Sequence, residues 1–376
     1  MAGMSALPEL SVPPRAPRAT DDHVAIAWHG LPFYAARCLE ELVSREPGVR
    51  FSFLTTASDD FQKHRRFGEI AGVPVRTLER RADYTWYELG LTPPELFIFT
   101  SWSHPAYLSL AADGKRRAGT RTVSMMDNIF LGRLKQWAGL LWFRAVLRRH
   151  IDAVWVPGAR ARAFARMLGV RERDITDRLY GADPCLFAPL ESGEAVDARH
   201  RTGALFVGQM IERKGVPALL EAARRSAPFG AHLTMVGDGP LAAEVARTGV
   251  RVHGFLPPGQ LAPLYAQNLL FILPSRADHW GVVLHEAALG GCLLAATRTC
   301  GAVDDLIAHG WNGYIMDEGS PEEILAAAAW AGGLTREEAR AGRRLSMERA
   351  AMFGPDAFCR AFAQVRAAAV RTGVGA

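Results

Sequence analysis

Apolar residues first gather at residues 23–28, a short continuous run with the length of a strand buried on both faces. The period then changes. From about residue 32 to 45, Ala35, Ala36, Leu39, Leu42 and Val43 fall on one helical face. Residues 49–55 predict a second strand, and residues 96–100, 121–126 and 153–157 three more, with helical patterns between several of them. Short apolar strands alternating with amphipathic helices predict an α/β fold with a parallel, doubly wound sheet. The pattern breaks in PCLFAPLESGEAVDARHRT, residues 184–202, which is polar and aperiodic. It then restarts more clearly. Strands are predicted at 204–208, 232–237, 251–254, 269–274 and 293–297, and helices at about 216–225, 240–247, 261–267 and 282–289. A second Rossmann-like domain is the economical reading. Helices at 321–331 and 336–351 follow. The last, at about 356–370, carries Phe358, Phe362, Val365 and Ala369 on one face, as a helix packing back across the first domain would. The expected organisation is a disordered leader (1–20), a first Rossmann-like domain (21–185), a linker (186–202), a second such domain (203–352) and a terminal helix segment (353–376).

Composition narrows the class. A length of 376 residues suits two domains of ordinary size. The net charge, 44 − 39 = +5, is mild and does not by itself imply nucleic acid. Cys38, Cys185, Cys292, Cys300 and Cys359 are odd in number, scattered and without CxxC spacing. They argue against a disulfide framework or a structural zinc site and favour a reducing compartment. No run of 18 apolar residues predicts a transmembrane helix, so a cytoplasmic chain is expected, peripheral at the cytoplasmic membrane face at most.

Three segments carry candidate chemistry. In LFVGQMIERKG, residues 205–215, a strand ends at Gly208 and a loop presents Arg213 and Lys214. Ligands of open α/β sheets bind at carboxyl ends of strands, where a glycine admits them to the backbone and a cation neutralises phosphate. In LTMVGDGPL, residues 233–241, Gly237 ends a strand and Pro240 suits the first position of a helix. Each also reads as an ordinary turn, the first with solvated basic residues. The third segment, FILPSRADHWGVVLHEAALGG (271–291), is the most informative. Asp278 precedes a helix opening at Gly281, and the amides of Gly281, Val282 and Val283 form a helix N-terminus fit for a diphosphate. Glu286 lies one and a half turns on, among Val282, Val283, Leu284, Ala287, Ala288 and Leu289. The bland alternative is a helix-start Asp and a surface Glu. A carboxylate in so apolar a helix needs a partner.

Taken together, FVGQMIERKG, MVGDGP, VHGFLPPGQLAPLYAQ, FILPSRADHWGVVLHEAALGG and GAVDDLIAHGWNGYI, within residues 203–324, resemble the C-terminal domain of glycosyltransferase family 4. The resemblance implies a GT-B fold, with two Rossmann-like domains facing across a cleft. It implies a retaining, metal-independent transfer of a hexose-type sugar from a nucleotide donor, UDP favoured, with no cofactor. Polysaccharide, glycolipid or other glycoconjugate biosynthesis is the implied setting. On this resemblance Lys214 contacts the donor diphosphate, Glu286 the ribose, and Asp278 holds the sugar, an Asp where Glu is usual. Gln209 stands where many members have an arginine, and Arg213 is the compensating cation. Gly208, Gly237, Phe255, Trp280, Gly281, Val282 and Val283 complete the implied donor site.

The first half resembles the family in IDAVWVPGARARAFARMLGV and LYGADPCLFAP. The family's Gly-Gly loop is here WHGLPFY, residues 28–34, with Gly30 alone. In SMMDN, residues 124–128, Asp127 fits the aspartate of a family His-Asp pair, while Met126 stands at the histidine. Asp127, Asn128, His29, Gly30 and His104 are the acceptor-side candidates, Asp127 with a catalytic part. Residues 132–150, with Arg133, Lys135, Arg144, Arg148 and Arg149 around aromatic and aliphatic side chains, and the cluster Lys115–Arg117 read in two ways. One is a core helix with solvated arginines. The other is a membrane-resting segment beside a lipid-linked acceptor. Two functional alternatives stand beside the enzyme: a sugar-nucleotide-binding regulator, motivated by Gln209 and Met126, and a UDP-sugar 2-epimerase. The turn at residues 25–34 has no GxGxxG, which disfavours a dehydrogenase.

Overall fold

The computed structural model describes residues 22–56, 67–188 and 202–371. The predicted leader and residues 189–201 of the predicted linker lie outside them. The first half forms β1 (His23–His29), α1 (Phe33–Arg45), β2 (Arg50–Thr56), β3 (Glu69–Ile70), β4 (Val73–Leu78), β5 (Leu96–Phe99), α2 (Pro105–Ala118), β6 (Arg121–Met125), α3 (Leu134–Trp142), β7 (Ala153–Trp155), α4 (Ala159–Met167) and β8 (Ile175–Thr176). Their sheet runs β3-β4-β2-β1-β5-β6-β7-β8 and is parallel except at β3–β4. The second half contributes β9 (Ala204–Val207), β10 (Leu233–Val236), β11 (Arg251–His253), β12 (Leu270–Leu273), β13 (Leu293–Thr297) and β14 (Gly313–Met316), ordered β11-β10-β9-β12-β13-β14 and parallel throughout. In both sheets the strand order reverses once near the middle, beside β1 and β5 in the first and β9 and β12 in the second. Loops leaving such neighbours diverge to opposite faces and open a crevice at the strands' carboxyl ends.

Strands β3, β8 and β14 escaped the sequence pattern because they are short and lie at sheet edges, and β4, next to the edge, because most of its positions are partly or fully exposed. Pro240 does not open a helix. The helix here spans only Ala242–Ala246, because Gly239 (φ 152°) presses on the backbone of Met210 and holds Pro240 in a turn. The helix expected from residue 261 begins at Pro258, whose missing amide proton costs nothing at a first helical position.

The last helix, Pro355–Arg371, lies on the first sheet rather than the second. Phe358 stacks on Trp155 (centroids 4.5 Å apart) and Phe362 packs at a tilt against Phe51 (6.0 Å). Arg45 bonds Asp356 at 2.6 Å and Arg366 bonds Glu46 at 2.9 Å. Where the halves meet, His285 is fully buried; its Nδ1 accepts from the Ala182 amide (2.8 Å) and its Nε2 donates to the Ala350 carbonyl (2.9 Å). These bonds require the neutral ring, and burial pushes its pKa down to about 4. No helix among the described residues is long and apolar enough to cross a membrane.

Candidate active site

Gly208 follows β9, and Gly237 follows the neighbouring β10. A Cβ on Gly237 (φ 137°) would sit 2.0 Å from the Gly208 carbonyl oxygen, so the two strand-end loops touch only because Gly237 lacks a side chain. Gly215 has φ 76° and opens the helix Val216–Arg225; a Cβ there would meet the Pro274 carbonyl oxygen at 2.0 Å. That close approach draws the Lys214 loop onto the loop after β12. Lys214 Nζ donates to Asp278 Oδ2 at 2.5 Å, with both side chains only 13% exposed. Arg213 donates to the Ala277 carbonyl at 2.8 Å. The Asp278 amide donates to the Thr299 carbonyl (3.2 Å), and its own carbonyl accepts from Gly301 (3.0 Å). Gly281, at φ 83°, turns the chain into α-helix Val282–Leu289. Gly208 and Gly237 thus meet at the ends of β9 and β10, and Lys214 and Gly281 meet at Asp278 after β12, all at the carboxyl ends of strands where such sheets open their crevice; Gln209, Val282 and Val283 are half-buried.

Glu286 points from that helix toward Tyr265, whose hydroxyl donates to its carboxylate at 2.8 Å. This is the partner an acidic group among valines and leucines requires. Burial outweighs the bond and pushes the Glu286 carboxyl up to about 7. Its ordinary value is 4.5, so between 4.5 and 7 the folded protein holds a proton the unfolded chain has lost. That stabilisation disappears as pH rises through 7. Glu286→Gln, which keeps the Tyr265 bond, should therefore gain on the wild type by up to ~3 kcal/mol between pH 4.5 and pH 8. Paired denaturant titrations across that range measure it; parallel stabilities would mean that the carboxyl ionises at its ordinary value.

Trp280 does not line the crevice. It is 2% exposed, packs against Phe353 (5.0 Å) and fills the space beside Gly158, where a Cβ would lie 2.6 Å from the ring. Its ring serves the packing between the halves. Phe255 is 61% exposed.

Across the crevice, a cavity of about 450 Å³ opens at the carboxyl ends of β1, β5 and β6, lined by His29, Gly30, Ser101, Trp102, Asp127, Asn128, Tyr180 and His279 among others. Leu31 (φ 24°) and Ser101 (φ 52°), both non-glycine residues at positive φ, follow β1 and β5 at this point. Such strain persists only where the surroundings impose it, and it clusters at functional sites. His29 Nδ1 lies 2.6 Å from Thr56 Oγ1. His104 stands one layer behind, against Tyr107 (4.8 Å), and lines no part of the cavity. Burial, then the neighbouring His29, pushes its pKa down to about 4. Met126 is buried in the first domain's core, so the place of the resembled histidine belongs to packing.

Asp127 accepts from the Tyr180 hydroxyl at 3.0 Å, and its Oδ1 lies 3.4 Å from Nδ1 of His279, a residue of the other domain. Burial alone would raise the Asp127 carboxyl; His279 and Tyr180 hold it below the usual range. His279, Tyr265 and Tyr180 were not singled out by the sequence. Each acquires its partner from a segment at least 21 residues away, and no local spacing announces that.

Residues 201–331 match the family model described as Glycosyl transferases group 1. HepE of Anabaena, solved in complex with UDP, superposes with a TM-score of 0.71 over 92% of this chain and 99% of its own, at 18% identity. The chain has the GT-B glycosyltransferase fold. Sucrose-phosphate synthase of Thermosynechococcus elongatus shares the GT-B arrangement, with a TM-score of 0.68 at 17% identity over 92% of this chain and 98% of that one. In sequence, sulfoquinovosyl transferase SQD2 of Arabidopsis thaliana is 28% identical over 102 residues, 25% of this chain. The match takes in 20% of that protein, so the chain spans about a fifth of the curated relative. The matched family region holds the Lys214, Asp278 and Glu286 side of the GT-B crevice and, of the residues named as lining the Asp127 cavity, His279 alone.

Proposed function

We propose that the protein is a family 4 glycosyltransferase that moves a hexose-type sugar, with retention, from UDP to a hydroxyl of a carbohydrate or lipid-linked acceptor. The Lys214–Asp278 pair at the mouth of the Gly281 helix carries this reading. It sets a cation for the diphosphate beside a carboxylate for the sugar hydroxyls, at the crevice between the two domains. Solved structures of HepE hold UDP with glucose, and UDP-glucose, in the same fold. As the bond from the anomeric carbon to the phosphate oxygen breaks, Lys214, Arg213 and the helix amides stabilise the charge growing on the diphosphate. The acceptor oxygen bonds the anomeric carbon on the same face, and its proton passes to a diphosphate oxygen. Lys214 and Arg213 supply in this scheme the charge that a metal ion would otherwise bring, so transfer should proceed without one.

The test is a thermal-shift and donor-hydrolysis screen with UDP-, GDP-, ADP- and TDP-sugars, with Glu286→Ala as control. A ligand at about a hundred times its Kd adds about 2.7 kcal/mol to stability. UDP-sugars should stabilise the wild type and much less the variant, which lacks the ribose acceptor. Stabilisation by a donor with neither hydrolysis nor transfer would favour the sugar-nucleotide-binding regulator instead.

An exposed face of the first domain supports the lipid-linked form of the acceptor. On α3, Leu134 (87% exposed), Trp137 (52%), Leu141 (69%) and Trp142 (44%) form one solvent-facing stripe beside Arg133, Lys135 and Arg144. The Trp142 ring lies 6.3 Å from Trp102, which lines the cavity, so the stripe runs into the crevice. An apolar helix face edged by cations suits an anionic bilayer at the cytoplasmic membrane face. The Lys115–Arg117 cluster takes no part: Lys115 is bonded to Asp152, and Arg116 and Arg117 to Asp113. Vesicles of phosphatidylglycerol and phosphatidylcholine should sediment the protein at low salt. Leu141→Glu with Trp137→Glu should abolish that, and equal sedimentation of the two proteins would remove the membrane from the proposal.

A further inference from the structure

His279 sits between two residues that the fold holds tightly. Asp278 is tied to Lys214, and Trp280 is buried against Phe353. Its own backbone is pinned as well, since a Cβ on Gly301 would lie 1.8 Å from the His279 carbonyl oxygen. The side chain therefore leaves a rigid loop of the second domain and crosses to the first, where Nδ1 comes 3.4 Å from Asp127 Oδ1 and 3.4 Å from Asn128 Nδ2. The two contacts compete for one nitrogen. Asn128 Oδ1 accepts from the Trp102 indole at 2.9 Å, which turns the amide NH₂ toward the ring. An NH₂ can only donate and a carboxylate only accept, so Nδ1 either accepts from Asn128 or donates to Asp127. The charged partner makes the stronger bond and selects the Nδ1–H form. In line with this, the bond to Asp127 raises the pKa of His279. The ring is 59% exposed, and its Nε2 has no hydrogen-bond partner among the described residues. The free nitrogen thus belongs to an imidazole on the cavity lining, oriented through its other nitrogen, one residue from Asp278.

We propose that His279 is a sugar-binding residue: with Nδ1 held by Asp127, it engages a hydroxyl of the transferring sugar through Nε2. This deepens the glycosyltransferase reading and rests on it. The uridine and diphosphate lie with Glu286 and the Gly281 helix in that reading, so the imidazole distinguishes sugar from nucleotide. Because Asp127 belongs to the first domain, the histidine is set only when the two domains stand this close. Sugar binding and domain apposition are then one event. The functional imidazole comes from the donor domain, opposite the buried Met126.

The experiment uses the full chain and calorimetric Kd values for UDP and for the tightest-binding of UDP-glucose, UDP-galactose and UDP-N-acetylglucosamine. It compares wild type, His279→Ala, His279→Gln and Asp127→Asn. UDP should bind all four within about twofold, whereas His279→Ala should bind the UDP-sugar about tenfold or more weakly, as loss of one well-placed polar contact does. Glutamine, which still donates and accepts, should recover part of the loss, and Asp127→Asn should fall between. An unchanged UDP-sugar Kd in His279→Ala would overturn the proposal. So would an equal loss for UDP and UDP-sugar, which marks a structural role. If the wild type binds neither UDP nor any of the three sugars, the glycosyltransferase reading itself fails and takes this inference with it; binding of UDP and its sugars with an indifferent His279 overturns the inference alone.

Discussion

Replacing Lys214 with alanine should lower sugar transfer by about 10²–10³-fold, the loss that follows removal of one preorganised group facing charge that develops in the transition state. Lys214 Nζ is 2.5 Å from Asp278 Oδ2 in a site where both side chains are 13% exposed. The variant therefore loses more than a cation. It strands a largely buried carboxylate beside the expected place of a diphosphate, which costs stability and repels the donor. Lys214→Ala combined with Asp278→Ala separates the two effects. Removing the stranded charge should return the melting temperature toward that of the wild type, while transfer stays at or below the level of the single variant. Recovery of transfer in the double variant would mean that Lys214 acts only by neutralising Asp278.

Gly215→Ala should strongly destabilise the second domain. The residue has φ 76°, and a Cβ would meet the Pro274 carbonyl oxygen at 2.0 Å, a backbone atom with no rotamer to give way. Left-handed strain alone costs ~1 kcal/mol, and displacing β12's end from the Lys214 loop adds more. A total loss of ~3 kcal/mol or above is expected, with a melting temperature lower by roughly 6–12 °C. UDP-sugar affinity should fall in parallel, since the contact that suffers is the one that carries Lys214 to Asp278. Gly249→Ala is the control: its φ is 80°, but nothing lies within 4 Å of the added Cβ, so it reports strain without collision. Equal melting temperatures for the two variants would show that the loop yields and that Gly215 does not set the Lys214–Asp278 geometry.

Where the chain's own periodicity was strong, it was enough. The strand Leu293–Thr297 and the helices Val216–Arg225 and Val282–Leu289 occur with the bounds their apolar patterns predict. Each buries an uninterrupted apolar run or face, and burial of such a pattern has one solution. The placement of three candidate site residues was legible for a related reason. Lys214, Asp278 and Gly281 lie just beyond strand ends, and a doubly wound sheet sends such residues to its crevice whatever the rest of the chain does. Edge elements such as Glu69–Ile70 and Gly313–Met316 were not legible, because partial exposure erases the alternation. Pro240 was misplaced because its local preference was overruled by the contact with Met210, while Trp280, given to the crevice by resemblance alone, packs instead against Gly158 and Phe353.

The opposite side of the crevice belongs to tertiary structure. Nothing in SMMDN or RADHWG announces that Asp127 and His279, 152 positions apart, stand 3.4 Å from one another. That distance depends on how two separately wound sheets dock, on His285 tying Ala182 to Ala350, and on the last helix lying across the first sheet. Sequence patterns report which face of an element is buried, a property of neighbours within a few residues. A contact between domains is the sum of many such faces, and only the assembled chain evaluates it.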